Sequence, residues 1–577
     1  MFNRYFQDEL ANLKELGADF SKAHPAVAPM LSGLTADPDV ERLLEGVAFL
    51  TALLRQKLDD EFPEIIHELM QLIWPHYSRP LPSTTIVYFS PKMTLKQSMT
   101  IPAGIQIASV PIEGTSCLFK TCYDVEVHPL NLLKASFVEL SGRPPAIKLL
   151  LELREMPLSD WQPETLRLYL AGDYSSATNL YFLLQHHLKQ IVITSLDSGS
   201  SCFLGPENLK PLGFAYKDSL IPYPSHSFPG YRILQEYFIL PEKFLFLYLM
   251  GWKRWQKRGD GARFEISFEL KDIPFPSPKI KTENFVLHAT PAINIFPHDA
   301  DPIRLDHRRT EYLVRPSGTN ISHYQVYSVE KVIGFVRGTA KERIYTPFEL
   351  FSSESKSGQV YHVNLRKSPV LHGSNIYLSV AYPPETDLPE SETLSIRLLC
   401  TNGSLPESLQ SGDICLPTSS SPEYVEFSNI RSPTVSVLPP LGTNLLWRLL
   451  SHLSLNYISL AKAENLRALL EAYIFEESRD RTSVLANQKR IAGIVKVETK
   501  SSDRLVSGIM MRGQEIRIKV RNDHFAGQGD LFLFGCVLDE FLSSYASINT
   551  YTNLVVEEIL KGDLYQWPAR IGDHPLI

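Results

Sequence analysis

The chain has 577 residues, of which 44% are apolar and 21% charged. This is ordinary globular usage, and the length is sufficient for three or four domains that fold without disulfide or metal staples. The net charge of −7 and the lack of a basic run argue against a nucleic-acid partner. Six scattered cysteines form no disulfide framework, and the N-terminus lacks the apolar core of a signal peptide. We therefore expect a soluble protein of a reducing, cytoplasmic compartment.

The first 80 residues have helical periodicity. Apolar residues recur at steps of three and four in the first segment, at Phe2, Phe6, Leu10, Leu13, Leu16 and Phe20. The prolines of "HPAVAP" (24–29) end this helix, and Asp37 followed by Pro38 begins a second. The second helix is expected to break at Pro63, so that "PEIIHELMQLIW" (63–74) forms a third. Three amphipathic helices cannot bury their apolar faces alone, so they need the remaining chain or another protein.

From residue 83 to about 435, short β-branched and aromatic runs separated by turn residues predict strands. The clearest runs are "STTIVYFS" (83–90), "AIKLLLEL" (146–153), "RFEISFEL" (263–270), "SNIYLSVA" (374–381) and "ETLSIRLL" (392–399). Polar, serine- and proline-rich stretches at 352–359, 382–392 and 402–423 predict exposed loops or linkers.

The C-terminal part returns to mixed periodicity. The pattern predicts helices over 445–475, with a break near Asn456, and over 530–546, and strands over 490–499, 514–522 and 548–558. Glycines predict a turn at 512–515, and Gly527 and Gly529 a turn of positive φ rather than an anion site at a helix N-terminus.

The expected fold class is therefore α+β and multidomain, with N-terminal amphipathic helices, a β-rich middle and a C-terminal α+β domain. We divide the chain into a helical region over 1–82, a β-rich module over 83–290, a second β-rich module with long loops over 291–435, and an α+β domain over 436–577.

The strongest candidate for chemistry is "NIFPHDADPIRLDHRR" (294–309). It contains five residues of types that bind metals or transfer protons, namely His298, Asp299, Asp301, Asp306 and His307. A facial metal site needs two histidines and a carboxylate on rigid elements, whereas Pro297 and Pro302 interrupt this run. We interpret it as a strand over 285–296 that ends in a proline turn, with Asp side chains accepting nearby backbone N–H groups.

Other chemical patterns are weaker. Cys117 and Cys122 lack a second pair at zinc-finger spacing, so buried thiols are expected there. His186 and His187 are adjacent at a helix end and face different directions. The sequence also lacks a phosphate-binding loop, a dinucleotide loop and a nucleophile elbow. We expect no catalytic residue, no cofactor and no metal.

Several stretches, in order and nearly end to end, resemble the TssF family of the bacterial type VI secretion system, also called ImpG or VasA. They are "DPDVERLLEGVAFLTALLRQKLDDEFPEIIHELMQLIWPHYSRPLPS" (37–83), "YFILPEKFLFLYLMG" (237–251), "INIFPHDADPIRLDHRRTEYLV" (293–314), "VYSVEKVIG" (326–334), "LSLNYISL" (453–460), "RGQEIRIKVRNDHFAGQGDLFLFGCVLDEFLSSYASINTYTNL" (512–554) and "WPARIGDHPLI" (567–577). One departure is Ala569, where the family's tail has a second proline.

The resemblance implies a structural baseplate wedge subunit, similar to wedge proteins of contractile phage tails, and not an enzyme. Two copies of the chain would assemble with one TssG. TssK adaptors, TssE and a central spike of the VgrG type would be further partners, on the cytoplasmic side of the inner membrane. Six wedges surround the spike and must open on contraction.

Large interfaces have aromatic and arginine anchors at their centres. The candidates for contact residues are Phe2, Tyr5, Phe6, Trp74, Tyr77 and Arg79. Internal packing of the first domain is the alternative for each. Two alternative functions stay open, a β-rich carbohydrate- or protein-binding tail-like module and a metal-dependent hydrolase centred on residues 298 to 307.

Overall fold

In the computed structural model, the described residues are 2–24, 37–73, 77, 79–139, 141–223, 228–271, 273, 276, 278–318, 320–338, 342–348, 359–367, 374–382, 391–439, 462–475, 480–506, 509–548 and 550–572. These residues contain seven α-helices: α1 Phe2–Ala23, α2 Pro38–Ile73, α3 Tyr174–His186, α4 Pro229–Ile239, α5 Ala463–Glu471, α6 Arg481–Ala492 and α7 Gln528–Ser543.

The strands of the same residues are β1 Thr84–Pro91, β2 Met99–Ile101, β3 Gln106–Ile112, β4 Thr115–Thr121, β5 Val125–Val127, β6 Leu130–Val138, β7 Ala146–Leu153, β8 Leu166–Leu170, β9 Leu188–Ser195, β10 Ser201–Leu204, β11 Leu209–Leu212, β12 Phe246–Leu249, β13 Arg263–Leu270, β14 Phe285–Leu287, β15 Ala289–Ile293, β16 Phe296–Asp299, β17 Ile303–Leu305, β18 Tyr312–Val314, β19 Gln325–Val336, β20 Glu342–Pro347, β21 Val360–Lys367, β22 Ser374–Ala381, β23 Glu392–Thr401, β24 Val425–Asn429, β25 Ile494–Val506, β26 Ile509–Val520, β27 Thr550–Glu558, β28 Leu564–Gln566 and β29 Arg570–Ile571.

The chain divides into two compact units, one of residues 1–78 and 441–449 and one of 79–440 and 450–577. In the first unit, α1 and α2 form an antiparallel hairpin. Glu9, early in α1, pairs with Arg55, far along α2, at 2.5 Å, whereas Lys14 pairs with Glu41 at 3.2 Å. Asp37 caps α2 as predicted, because its carboxylate accepts the backbone N–H of Asp39 at 3.0 Å.

The predicted break at Pro63 is wrong, since α2 runs without interruption from Pro38 to Ile73. Proline removes one backbone N–H from a helix interior, at a cost of about 3 kcal/mol, but its fixed φ is itself helical. A helix of 36 residues has enough other backbone hydrogen bonds to continue through that position. The N-terminal region therefore has two described helices instead of three.

The second unit is built mainly from antiparallel sheets. The strand orders are β24-β1-β15-β4-β3, β10-β9-β13-β7-β6, β11-β12-β8-β14, and β16-β23-β19-β20-β21-β22-β18 with β17 also on β23. β1 lies between β15 and β24, so segments far apart in sequence share one sheet. The α+β class is confirmed, and β7, β13 and β22 coincide with the predicted strands. The four-part division of the chain stays a prediction.

The prediction of an exposed loop over 402–423 is partly wrong. Leu409 and Ile414 are buried in the core of the sheet that contains β1. The Thr418 hydroxyl donates to the Gln106 carbonyl at 2.7 Å, which holds the segment against β3. Two apolar side chains among many polar ones are enough to anchor such a loop. The predicted loops at 352–358 and 383–390 lie outside the described residues.

In the C-terminal part, a sheet of β25-β26-β27-β28, with β29 also on β27, packs with α7. The predicted strand over 490–499 begins later, at Ile494, because 481–492 forms α6. Residues 445–461 of the predicted helix lie outside the described residues, and α5 confirms its end. Gly529 has no positive φ; it lies in α7 where a Cβ would be 2.3 Å from the Thr178 carbonyl. Close packing of α7 on α3 explains this glycine better than a turn.

The predicted turn at 512–515 is wrong, because Gly513 lies in the middle of β26. Ser502, Gly513 and Tyr551 are direct neighbours across β25, β26 and β27. The Tyr551 ring covers the glycine, its hydroxyl lies 2.6 Å from Ser502 Oγ, and the Arg504 guanidinium lies 5.6 Å from the ring centroid. The glycine leaves room for a ring that fixes the register of three strands.

Gly513→Ala is expected to destabilise this sheet by about 1–3 kcal/mol, because the new Cβ would lie 2.5 Å from the Tyr551 ring. Hydrogen exchange of the β26 amides measures the change locally and should become faster. Gly46→Ala in α2, with nothing within 4 Å, is the control and should be neutral or stabilising. Unchanged exchange in Gly513→Ala would contradict this packing.

Two buried histidines lie where β5, β14 and β15 meet. His128 Nδ1 accepts the Trp161 indole N–H at 3.3 Å, and His288 Nε2 accepts the backbone N–H of His128 at 3.1 Å. Burial lowers the pKa of His128 from 6.5 to about 4 and that of His288 to about 3. Both rings are therefore neutral in the folded protein at neutral pH, and protonation would turn each accepting nitrogen into a donor.

Because the folded-state pKa values lie below the unfolded value, the stabilisation is complete above pH 6.5 and is lost as pH falls toward 4 and 3. By pH 5 the loss should be roughly 2 kcal/mol per histidine, seen as a lower urea midpoint. His288→Asn should make this pH dependence shallower. His307→Asn is the matched control, since His307 has nearly the same φ, +54° against +55°, but is exposed. An equal effect of both substitutions would count against the buried pair.

Candidate assembly surfaces

One face of α2 is an exposed apolar stripe. Leu43, Val47, Leu50 and Leu54 follow one another at steps of four, three and four residues, and their exposed fractions are 69%, 45%, 61% and 63%. We call these four residues the α2 stripe. Ala48 and Ala52, on the opposite side of the helix, are fully buried. Exposed apolar side chains at this spacing make this face a candidate for contact with another protein.

The helix α1 adds to the apolar surface of this unit. Leu16 is 65% exposed and Phe20 51% exposed. The amphipathic periodicity of the sequence finds both helices, and it already shows that their apolar faces exceed what two helices can bury against each other. What it cannot show is which side of α2 faces outward.

The six predicted contact residues have different surroundings. Tyr5 and Phe6 are half-buried in α1, Phe2 is its first residue, and Trp74 lies outside the described residues. Tyr77 is buried, with 1% of its surface exposed. The Arg79 guanidinium lies 5.4 Å from the ring centroid of Tyr327, so it has a stacking partner within its own unit. Their role in partner contacts stays a prediction. The α2 stripe is not among these six residues, because the expectation of aromatic and arginine anchors excludes aliphatic side chains.

The polar stretch at 294–309 does not begin as predicted. Phe296–Asp299 forms β16, paired with β23, so Pro297 and His298 are in a strand and not in a turn. Pro297 is tolerated because β16 is an edge strand. His298 Nε2–H donates to the Ser317 carbonyl at 2.8 Å, and the imidazole stacks on Tyr324 with 4.6 Å between centroids.

The rest of this stretch forms a tight turn. Asp306 accepts the backbone N–H of Arg308 at 3.2 Å and the Tyr312 hydroxyl at 3.1 Å. These hydrogen bonds, the first above all, lower the pKa of the Asp306 carboxyl. The prediction that an aspartate accepts a nearby N–H is confirmed here. The two histidines of this stretch lie against different aromatic rings. The His307 ring is 5.6 Å from that of Tyr382, between centroids, and the His298 ring stacks on Tyr324.

Throughout the described part of the chain, no group of three or more His, Cys, Asp or Glu side chains is arranged to hold a metal ion. Cys117 is buried in an apolar core, and burial raises the pKa of its thiol to about 11, as suits the predicted inert thiol. The rings of His186 and His187 are turned 76° from each other, and His186 stacks on Phe182. The expectation of no metal and no cofactor stays a prediction.

The N-terminus of α7 is occupied by the protein's own side chains. The Gly529 N–H donates to Asn179 Oδ1 at 3.0 Å, and the Asp530 carboxylate accepts the Ala526 N–H at 3.0 Å. Asp530 is also paired with Arg490 at 3.0 Å, and both are buried. These contacts connect α3, α6 and α7, so the N-terminus of α7 has a structural role and is not open to an anion.

A buried ionic cluster lies at the start of the family-like stretch at 237–251 and includes Lys243 of that stretch. Glu236 at the end of α4 is fully buried and pairs with Arg232 at 3.0 Å and with Lys243. Its other carboxylate oxygen accepts the Leu220 N–H at 2.7 Å. Burial lowers the pKa of Lys243 to about 8, against the opposing pull of Glu236. Removing one partner of such a cluster would leave an uncompensated buried charge, so it fixes the backbone of this region.

None of the described helices contains a stretch long and apolar enough to cross a membrane. An exposed apolar helix face on one unit, and helices and strands joined by buried ion pairs and aromatic contacts on the other, are features of a structural assembly subunit.

Comparison with known proteins makes this specific. The model of the family described as type VI secretion system, TssF, matches residues 1–574. The type VI secretion system component TssF1 of Pseudomonas aeruginosa is 31% identical, over 99% of this chain and 98% of that protein. The chain belongs to the TssF family.

Solved structures agree with this assignment. A chain in the cryo-electron microscopy structure of the type VI secretion system TssK-TssF-TssG baseplate subcomplex is 29% identical and superposes with a TM-score of 0.79, over 92% of this chain and 98% of that one. A chain of the baseplate complex from the type VI secretion system has the same fold, with a TM-score of 0.63 over the full length of both chains and 24% identity.

Proposed function

We propose that this chain is a structural wedge subunit of the type VI secretion baseplate, which assembles with TssG and TssK and catalyses no reaction. The observation that carries the proposal is the α2 stripe. The proposal is also supported by the match of nearly the whole sequence to a chain of the TssK-TssF-TssG subcomplex.

The α2 stripe is large enough to drive assembly. Full burial of a leucine or valine side chain contributes roughly 1.5–3 kcal/mol. Four such side chains, each more than two-fifths exposed, represent several kcal/mol that are unused in the isolated chain. Part of this is lost to the entropy of association, so the stripe needs a complementary apolar surface on its partner. We assign TssG to that surface, with two copies of this chain for each TssG.

The remaining expected partners follow from the same proposal. TssE and the VgrG-type spike would contact other surfaces of the wedge, and TssK would connect it to the membrane-bound part of the machine. The chain would act on the cytoplasmic side of the inner membrane without entering it. A separate sugar- or protein-binding module and a metal-dependent hydrolase are not favoured, because the family match extends from residue 1 to residue 574.

The test is co-expression with TssG of the same gene cluster, followed by size-exclusion chromatography with light scattering. The wild-type chain should elute as a complex with two copies per TssG. Leu43→Gln, Leu50→Gln and Leu54→Gln, combined in one variant, should weaken the complex by at least about a hundredfold, since each replaces a buried leucine at the interface.

A variant with Leu196→Gln and Phe203→Gln is the matched control, because these side chains are also at least half exposed, 50% and 65%, but lie on the β9–β10 hairpin. It should keep full binding. Circular dichroism of the free chains shows whether either variant has lost its helices. A folded stripe variant that binds TssG as tightly as the wild type would refute the assignment of the α2 stripe.

A further inference from the structure

We propose that the cleft formed by residues 301–315 binds an acidic segment of a partner protein, with Arg304, Arg309 and Arg315 pairing with its carboxylates. We call it the arginine cleft. The inference rests on the proposed function, because a wedge subunit needs contacts of this kind, but it concerns a surface separate from the α2 stripe.

Backbone hydrogen bonds connect the two ends of the loop that forms the arginine cleft. The Asp301 N–H donates to the Arg315 carbonyl at 2.8 Å, and the Ser317 N–H donates to the Asp299 carbonyl at 2.9 Å. Between these points, β17 pairs with β23 and β18 pairs with β22. Both ends of the loop, and two strands within it, are therefore anchored to the eight-stranded sheet.

The tip of the loop is also fixed. Asp306 is held by the backbone of Arg308 and by the Tyr312 hydroxyl, as described above. His307 has a left-handed backbone with φ of +54°, which a tight turn imposes. The arginines are thus carried on a backbone that loses little freedom when a ligand binds.

The arginine cleft carries a net positive charge. An open cleft of about 540 Å³ is lined by three arginines, Arg304, Arg309 and Arg315, and by two aspartates, Asp301 and Asp306. Within the described residues, these three exposed guanidinium groups make no ion pair or side-chain hydrogen bond.

Two other arginines of the same sheet do have carboxylate partners. Arg366 lies 2.7 Å from Glu311, and Arg343 pairs with the buried Glu392. Arg304, Arg309 and Arg315 instead line one cleft without such a partner, and guanidinium groups are the preferred partners of carboxylates.

The lining favours a peptide over a dense polyanion. Pro302, Ile303, Tyr312 and Leu313 give the cleft apolar and aromatic surface between the arginines. The carboxylates of Asp301 and Asp306 also line it and oppose the closely spaced charges of a polyanion more than the spaced carboxylates of a peptide. An acidic protein segment offers spaced carboxylates and apolar side chains together.

The first test uses the full-length chain and a fluorescently labelled peptide in which glutamates alternate with leucines, with binding followed by anisotropy. Binding should weaken as salt rises, because the contacts are exposed ion pairs. Arg304→Glu, Arg309→Glu and Arg315→Glu in one variant should weaken binding at least about tenfold. The matched control reverses three exposed arginines elsewhere, Arg143, Arg337 and Arg512, and should bind nearly as the wild type does.

Failure of the wild type to bind the peptide would overturn the inference. Equal loss of binding in both triple variants would also overturn it, because general charge attraction produces that result. Tighter binding of a labelled eight-residue thymidine oligonucleotide would identify a nucleic-acid site instead. Full displacement of the peptide by inorganic phosphate at equal concentration would identify a simple anion site.

A second measurement separates this inference from the proposed function. The arginine-cleft variant should still elute with TssG, because its α2 stripe is unchanged. If even the wild type does not elute with TssG, the proposed function fails while the peptide result stands. If TssG binds normally and the peptide is bound equally by wild type and variant, the inference on the arginine cleft fails alone.

Discussion

An amphipathic helix is stable only where its apolar face is covered, and α2 leaves that face in water. Leu43, Leu50 and Leu54 are each more than three-fifths exposed, although the helix turns alanines inward on its other side. Surface leucines at this spacing cost solubility and gain nothing in an isolated chain. Under the proposed function, this exposed face makes the hairpin of α1 and α2 half of an interface with a partner.

The second unit meets a different requirement. Three buried contacts fix its helices and strands relative to one another. Glu236 with Arg232 and Lys243 fixes the region after α4, Asp530 with Arg490 joins three helices, and Tyr551 over Gly513 locks three strands. Each of the first two places charge where there is no water, so each arrangement is stable only when complete.

Local periodicity predicted the elements whose burial alternates regularly. The strands β7, β13 and β22 have the predicted bounds because each has a clear two-residue pattern. The predicted helix break at Pro63 and the predicted turn at Gly513 were wrong. Local propensity is a weak guide when the rest of a long helix or a covering aromatic ring decides the conformation.

The surfaces were less predictable than the elements. Ile414 is buried within a polar loop because of residues far away in the sequence, which no local pattern contains. The unpaired arginines at 304, 309 and 315 could be seen as charges in the sequence, but only the pairing of β17 and β18 with the sheet brings them to one cleft. Family resemblance identified the assembly, and the structure was needed to find the surfaces.

Hydroxyl-radical footprinting of the chain, alone and in its proposed complex with TssG, is the most direct measurement of the central claim, because it reports the exposure of individual side chains. The account predicts that oxidation of Leu43, Leu50 and Leu54 falls at least about tenfold in the complex, while Leu196 and Phe203 are oxidised at an unchanged rate. A complex in which the three leucines remain as reactive as in the free chain would contradict it.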